Sequence, residues 1–143
     1  MFVVFVFIES GQEDRFLTFL NELFDNTISF TIEKEMGGKL PFLDSLVITS
    51  SDCFKTTLYR KQTHSDRYLH FSSHHPQAVM RAVVHGMTGP AVALCEPEFL
   101  GQESKHTYNT FKDNGYPPSL VGSVIRRTLA DSPGIQYRTT ISP

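Results

Sequence analysis

The sequence has no tryptophan, only two cysteines and no long apolar run. Cys53 and Cys95 lie far apart in the chain and lack metal-ligand spacing, which favours free thiols in an intracellular protein, nuclear or cytoplasmic. The apolar start, residues 2–8, follows no basic segment and is far shorter than the roughly 20 residues that span a bilayer. We therefore expect neither a signal peptide nor contact with a membrane.

Sequence features of common enzyme classes are missing too. There is no glycine-rich phosphate loop, because residues 37–38 indicate only a hairpin turn. Neither cysteine lies in a glycine-rich elbow or beside a histidine in sequence, so nothing argues for a thiol nucleophile. Asp44 and Asp66 could form a carboxylate pair. In the alternative that we prefer, Asp44 orders a strand end and Asp66 forms a salt bridge with Arg67 or Arg60.

The overall composition fits one globular domain of 143 residues, with 40% hydrophobic and 20% charged residues. Charge is divided unevenly along it. Residues 1–59 hold four basic and nine acidic residues, a net of −5, whereas residues 60–143 hold nine basic and six acidic residues, a net of +3. The second half is therefore the better candidate for a nucleic-acid face.

The first half has a mixed pattern. Residues 2–8 are β-branched and aromatic, which predicts a strand buried on both faces, with neighbours lost upstream. A helix follows, with Ser10 as a possible cap and an end near Phe24. Alternation then predicts a half-exposed strand at 28–32, and further strands at 42–49 and 54–59 form a hairpin.

The second half changes to helical periodicity near Pro76. Apolar spacing predicts helices near 77–95, 97–113 and 118–129, and Pro90 predicts a kink or two segments in the first of them. Asn114 or Gly115 should take the left-handed cap that ends the second helix. We therefore predict an α+β fold: strand, helix, strand and β-hairpin over residues 1–59, a basic loop and a three-helix part over 60–130, and a loose tail over 131–143.

The last two predicted helices, joined at residues 114–118, form a helix-turn-helix-like unit. In the functional interpretation the last helix enters a groove and Arg126 and Arg127 reach phosphates. The alternative is an ordinary helical hairpin, which is the commoner structure.

Polar chemistry is concentrated in residues 58–76. From Arg60 to Arg81 the basic residues are Arg60, Lys61, Arg67 and Arg81, against Asp66 alone, a local charge of +3. Arginine and lysine supply charge to a phosphodiester backbone, and neighbouring hydroxyls supply oriented donors. The alternative is a solvated loop between a strand and a helix.

Four histidines in this stretch raise the alternative of a zinc site: His64, His70, His74 and His75. Their spacing fits no standard site, and adjacent histidines rarely bind one ion together. We expect no metal, and interpret His74 and His75 as loop donors or as a cap region before the helix that begins near Pro76.

Five motifs occur in order along the chain: FTIEKE at 30–35, LPFLD at 40–44, YRKQTHSDRYL at 59–69, SHHP at 73–76 and NGYP at 114–117. Together they resemble the segment just downstream of the catalytic palm in Penelope-like retroelement reverse transcriptases, described in animals as a reverse-transcriptase-like helix-turn-helix domain. The resemblance covers about residues 1–129. It implies the edge of a palm, followed by a thumb-like helical part that grips a template–primer duplex.

The resemblance also shows what is missing. Val3 and Val4 stand where the family has paired aspartates, and valine cannot hold the ions that two-metal phosphoryl transfer needs. Upstream fingers and palm are absent from the sequence. Gln62, Met80 and Pro90 depart from the family pattern, and the last two each remove a cation that the family often has.

We therefore expect a non-catalytic fragment that has no catalytic residues and no cofactor and binds a template–primer duplex or another DNA or RNA backbone. The alternative is an inactive remnant or a protein-interaction module. The residues predicted to contact nucleic acid are Arg60, Lys61, Thr63, His64, Arg67, Tyr68, His75, Arg81, Arg126 and Arg127.

Overall fold

The computed structural model describes residues 2–25 and 27–132 and has the predicted α+β class. Its elements are, in chain order, α1 Glu13–Leu23, β1 Lys39–Phe42, β2 Ser45–Thr49, β3 Phe54–Leu58, a 3₁₀ turn at Phe71–Ser73, α2 Gln77–Leu94, α3 Pro97–Asp113 and α4 Pro118–Asp131. The predicted tail lies outside the described residues from residue 133 onward.

The sheet is an antiparallel meander in the order β1-β2-β3. The predicted hairpin between the second and third strands is confirmed. The predicted strand 42–49, however, is divided by a turn, because Leu43 has a left-handed φ of 56° and reverses the chain between Phe42 and Ser45. Gly38, with φ 74°, accepts a hydrogen bond from the Thr49 amide and brings β1 alongside β2.

Two predicted strands, 2–8 and 28–32, are wrong: neither segment belongs to a strand within the described residues. The second segment is held to α1 instead, since the Asn21 side chain bonds both the amide and the carbonyl of Phe30. The Phe24 and Phe30 rings also pack together, with centroids 5.7 Å apart. The α1 prediction is confirmed, although Gln12 rather than Ser10 occupies its N-cap. The predicted alternation is not seen in burial either, because Ile28 and Ile32 are exposed and only Phe30 is half-buried.

The three later helices agree closely with their predicted bounds. Pro97 and Pro118 each begin a helix, where the missing N–H has no intrahelical partner to lose. Pro90 does not divide α2 into two segments, and the side chains on either side of it, Met87 and Ala91, are both buried. Tertiary packing therefore overrides the local cost of the proline.

The hydrophobic core lies among these three helices. Nine buried side chains form it: Met80, Val84, Met87, Phe111, Tyr116, Leu120, Val121, Val124 and Ile125. Tyr68, Leu69 and Phe71, from the stretch before α2, pack against its edge. The sheet meets this helical part at the end of α2, where the Thr56 hydroxyl donates to the Leu94 carbonyl at 2.7 Å.

Candidate nucleic-acid interface

Arg60, the first cation of the basic stretch, is engaged in an ion pair. Its two terminal nitrogens donate to the Glu103 carboxylate at 3.2 and 2.6 Å, and both side chains are largely shielded from solvent. Burial acts to lower the pKa of Arg60, but the hydrogen bond and the negative charge of Glu103 outweigh it and raise that pKa. The guanidinium therefore joins the loop to α3.

Asp66 does not form the predicted salt bridge with Arg67 or Arg60. Its carboxylate instead bridges two histidines: Oδ1 lies 2.9 Å from Nε2 of His64, and Oδ2 lies 3.3 Å from Nε2 of His106. Asp66 adopts a left-handed φ of 50°, which turns the chain toward α3. His64 thus contacts a protein carboxylate, and Arg67 beside it is left exposed.

Tyr68 packs as part of the core edge. Its ring lies 5.1 Å from that of Phe111, and its amide donates to Oδ1 of Asn114. Burial, followed by the nearby charge of Asp66, raises the pKa of the Tyr68 hydroxyl. Asn114 also donates to the carbonyls of Asp66 and Thr110. Sequence reasoning treated Asn114 only as a helix stop, yet it connects the basic stretch to the end of α3.

Three other predicted contact residues are exposed in the same stretch. Lys61 and Thr63 lie in a turn closed by the His64 amide, which donates to the Lys61 carbonyl at 2.9 Å. His75 lies just before α2, with its Nδ1 3.0 Å from the Ser73 hydroxyl. His74 has a left-handed φ of 59° and ends the 3₁₀ turn, whereas the N-cap of α2 is Pro76.

A second group of basic residues lies across α2 and α4. Nη1 of Arg81 on α2 donates to the Ser123 hydroxyl on α4 at 3.4 Å. Arg126 folds back over Gly122, with its Nη1 3.4 Å from the point where a β-carbon would stand. Arg127 is exposed one helical turn beyond Ser123. Three of the predicted contact residues, Arg81, Arg126 and Arg127, are thus carried by two packed helices, and we call them the α2–α4 basic face.

Few carboxylates oppose this face on its own helices. α2 contains no Asp or Glu, and α4 has only Asp131 at its last position. By contrast, α3 carries Glu98, Glu103 and Asp113 beside its two lysines. The α2–α4 basic face is therefore a local source of positive potential in a chain whose formal net charge is −2.

The turn between α3 and α4 fixes the angle at which this face is presented. Gly115 takes the predicted left-handed conformation, with φ 82°, and its α-carbon faces the ring of His70. The hydroxyl of buried Tyr116 donates to the Leu69 carbonyl at 2.8 Å and lies 3.4 Å from Sδ of Met80. Burial raises the pKa of Tyr116. The turn is thus held from both the loop and α2.

Sequence reasoning missed Ser123 as a member of the candidate site. The available signal was helical spacing, since Ser123 precedes Arg127 by four residues and lies on the same side of α4. The contact with Arg81 had no such signal, because the two residues are 42 positions apart.

Metal binding and membrane crossing are two other roles to compare with the described residues. Across residues 2–25 and 27–132, no three His, Cys, Asp or Glu side chains are grouped so that they could hold a metal ion. No helix in that part of the chain has the length and apolar character needed to cross a membrane. The two cysteines are free thiols, Cys53 exposed and Cys95 buried.

Comparison with curated proteins and with solved structures finds no match for this chain. A family model does match part of it. The matched part runs from Arg67 through the 3₁₀ turn, α2 and α3 to the Arg126 position on α4, so it contains the turn at Gly115 and most of the basic face. Residues 67–126 are similar to the animal helix-turn-helix domain.

Proposed function

We propose that this protein binds the backbone of a nucleic-acid duplex through the α2–α4 basic face. The observation that carries the proposal is the contact between Arg81 and Ser123, which brings the cation of α2 beside the helix that bears Arg126 and Arg127. Arginine suits this role because its planar guanidinium presents several donors to phosphate oxygens. The match of residues 67–126 to a helix-turn-helix domain supports the same class of partner.

The positions of the cations indicate how α4 would meet a duplex. In helix-turn-helix proteins, the first residues of the second helix contact base edges. Arg126 and Arg127 lie in the second half of α4, beyond that region. They are therefore suited to phosphates that flank the groove, and phosphate contacts position a protein without reading the base sequence.

The exposed cations Lys61 and Arg67 would extend the contact along the backbone. Arg60, His64 and Tyr68 would act indirectly, since each is engaged within the protein and holds the stretch against α3. The main contact therefore lies on α2 and α4 and not on the loop that charge density predicted.

We also propose that the chain is non-catalytic and is related to the region downstream of the palm in Penelope-like reverse transcriptases. The five collinear motifs support the relationship, and the matched helix-turn-helix domain is compatible with it. Val3 and Val4 support the lack of polymerase activity because neither side chain can bind Mg²⁺. The alternative, a protein-interaction module, is favoured by the apolar side chains that residues 2–58 leave exposed.

Fluorescence anisotropy with a DNA duplex and an RNA–DNA hybrid between 50 and 200 mM salt tests the binding proposal. The three arginines of the α2–α4 basic face contribute about −2.7 to the slope of log K against log salt, a loss of roughly 40-fold in affinity over that range, and each contact by Lys61 or Arg67 adds about −0.9. Arg81→Gln, Arg126→Gln and Arg127→Gln should each reduce the slope by about 0.9.

Arg15→Gln is the matched control, because Arg15 is an exposed arginine on α1, outside the basic face. It removes the same charge and should leave the slope unchanged. A flat salt response of the parent protein, or an equal effect of Arg15→Gln and Arg126→Gln, would contradict the proposal.

A further inference from the structure

The first part of the chain leaves its apolar side chains uncovered. None of residues 2–25 and 27–59 is buried, although this region is rich in phenylalanine, valine and isoleucine. Val4 is 74% exposed, Val6 48% and Phe7 60%. Single exposed apolar residues are ordinary, but an apolar run with this exposure is typical of an interaction site.

Residues 2–8 lie across one face of the sheet. The Phe5 ring contacts that of Phe42 at 5.4 Å, and the Phe7 ring contacts that of Phe54 at 4.7 Å. Phe42 pairs with Ser45 of β2, and Phe54 pairs with Thr49. Since Ser45 and Thr49 are four residues apart on one strand, their side chains point to the same face, and so do those of Phe42 and Phe54.

The other side of this segment is open. Phe5 and Phe7 both turn toward the sheet, which directs Val4 and Val6 away from it. Within the described residues, the backbone N–H and C=O groups of residues 2–8 take part in no backbone hydrogen bond. An apolar row with unpaired backbone groups can accept an added strand, which gains main-chain hydrogen bonds and side-chain contacts together. We call Val4, Val6 and Ile8 the N-terminal apolar surface.

Carboxylates flank this surface. Glu9 follows Ile8 directly, and Asp52 lies two residues before Phe54. Glu35 accepts a hydrogen bond at 3.0 Å from the hydroxyl of Thr49, the residue paired with Phe54. The acidic character extends to the whole region, because residues 1–59 hold nine acidic and four basic residues.

Two of those four basic residues are already engaged, Lys34 with Asp14 and Lys55 with Glu98. The uncompensated negative charge decides which partners fit. Nucleic acid and anionic membranes would be repelled, and two copies meeting face to face would bring like charges together.

We propose that the N-terminal apolar surface docks a protein partner that presents a strand of alternating apolar residues flanked by lysine or arginine. The added strand pairs with the backbone of residues 2–8, its apolar side chains cover Val4 and Val6, and its cations meet Glu9, Glu35 and Asp52. This site lies outside the α2–α4 basic face, so the inference does not depend on nucleic-acid binding.

The experiment uses the full chain and a display library of nine-residue peptides. Valine, isoleucine or phenylalanine occupies alternate positions, and lysine, glutamate, serine or threonine is randomised between them. Selection should enrich lysine over glutamate at the random positions. A selected peptide should bind about tenfold more tightly than its lysine-to-glutamate counterpart, because the electrostatic complementarity is reversed. Hydrogen exchange should show protection of the amides of residues 3–8.

Two variants locate the site. Val4→Asn with Val6→Asn should weaken peptide binding about tenfold or more, since the apolar contact is lost without a change of charge. Val79→Asn, the same substitution at an exposed valine on α2, should leave it unchanged. No enrichment, enrichment of glutamate, equal loss in both variants, or protection of residues 3–8 by self-association or by lipid vesicles without peptide would each overturn the proposal.

Discussion

The helices α2, α3 and α4 bury one another's apolar stripes, whereas residues 2–58 expose theirs. Both regions contain large apolar side chains, so composition does not separate them. Phe111 on α3 is 0% exposed and Phe7 is 60% exposed. Three amphipathic helices can enclose a core between them, but one helix and one small sheet cannot cover both of their own faces. The burial of an apolar side chain therefore depends on how many helices and sheets pack around it, and not on composition alone.

Charge separates the same two regions. Acidic residues are in excess where the apolar surface is open, and unopposed arginines lie on the closed helical part. A partner attracted to one region is therefore repelled by the other. This division explains why we assign nucleic acid to the α2–α4 basic face and a basic protein strand to the N-terminal apolar surface.

The largest expected effect tests the difference in burial between the two regions. Phe111→Ala should reduce the free energy of unfolding by about 3–5 kcal/mol, because it leaves a cavity in the core. Phe7→Ala should cost less than about 1 kcal/mol, since most of that ring is already in solvent. Urea denaturation followed by circular dichroism measures both.

If Phe111→Ala does not fold, Val84→Ala and Val6→Ala form a milder pair. The buried valine should cost about 1–3 kcal/mol and the exposed one close to nothing. Equal losses in the two regions would show that residues 2–58 are packed more closely than the structure indicates.

The next effect tests whether the basic stretch is a structural part of the helical region. Glu103→Gln should cost about 1–3 kcal/mol in unfolding free energy, because it leaves the Arg60 guanidinium partly buried without its charge partner. Arg60→Met combined with Glu103→Met should recover most of that loss. Glu98→Gln, at the more exposed pair with Lys55, is the control and should have a smaller effect. A single Glu103 variant as stable as the parent would refute this role.

A smaller effect is expected at the turn that sets the direction of α4. Gly115→Ala should cost about 1–2 kcal/mol, because a β-carbon is strained at φ 82° and would stand 2.8 Å from Cε1 of His70. Gly101→Ala is the matched control within α3, where a β-carbon would meet nothing within 4 Å. It should stabilise the protein by about 0.5–1 kcal/mol through helix propensity. A melting temperature that shifts in the same direction in both variants would contradict this account.

The smallest effect concerns pH. Tyr116→Phe should cost about 1 kcal/mol near neutral pH, because the Leu69 carbonyl loses its donor. Burial raises the pKa of Tyr116 above the ordinary value of 10.0, so the unfolded chain loses this proton at a lower pH than the folded protein. The stability that the neutral phenol contributes is complete below pH 10 and declines above it.

Urea denaturation from pH 8 to 11 tests whether the free energy of unfolding falls above pH 10 as expected. The parent protein should lose more stability above pH 10 than Tyr116→Phe does. Tyr68→Phe is the companion variant, since burial also raises the pKa of Tyr68. Identical pH profiles for the parent protein and both variants would argue against buried neutral phenols.

Much of the helical part could be predicted from the sequence. The predicted helices 97–113 and 118–129 correspond to α3 and α4 because prolines begin both and Gly115 lies between them. Such signals act within one helical turn, so a single sequence carries them in full. The hairpin of β2 and β3 was predictable for the same reason, since a short turn connects its strands.

The candidate site was predicted only in part. Arg81, Arg126 and Arg127 were named from their charge and helical position. Charge density, however, gave equal weight to Arg60, whose partner Glu103 is 43 residues away. A basic residue that is engaged within the protein and one that is exposed look alike in sequence, because the difference lies in a contact between distant elements.

The sequence by itself therefore determined the three later helices, the turn at Gly115, the hairpin and the unequal charge of the two halves, since each rests on neighbouring residues or on composition. Only the tertiary structure decided that residues 2–8 lack a strand partner, that Arg60 and Asp66 are engaged with α3, and that Arg81 meets α4. Those outcomes depend on which distant surfaces meet, and local periodicity contains no information about distant surfaces.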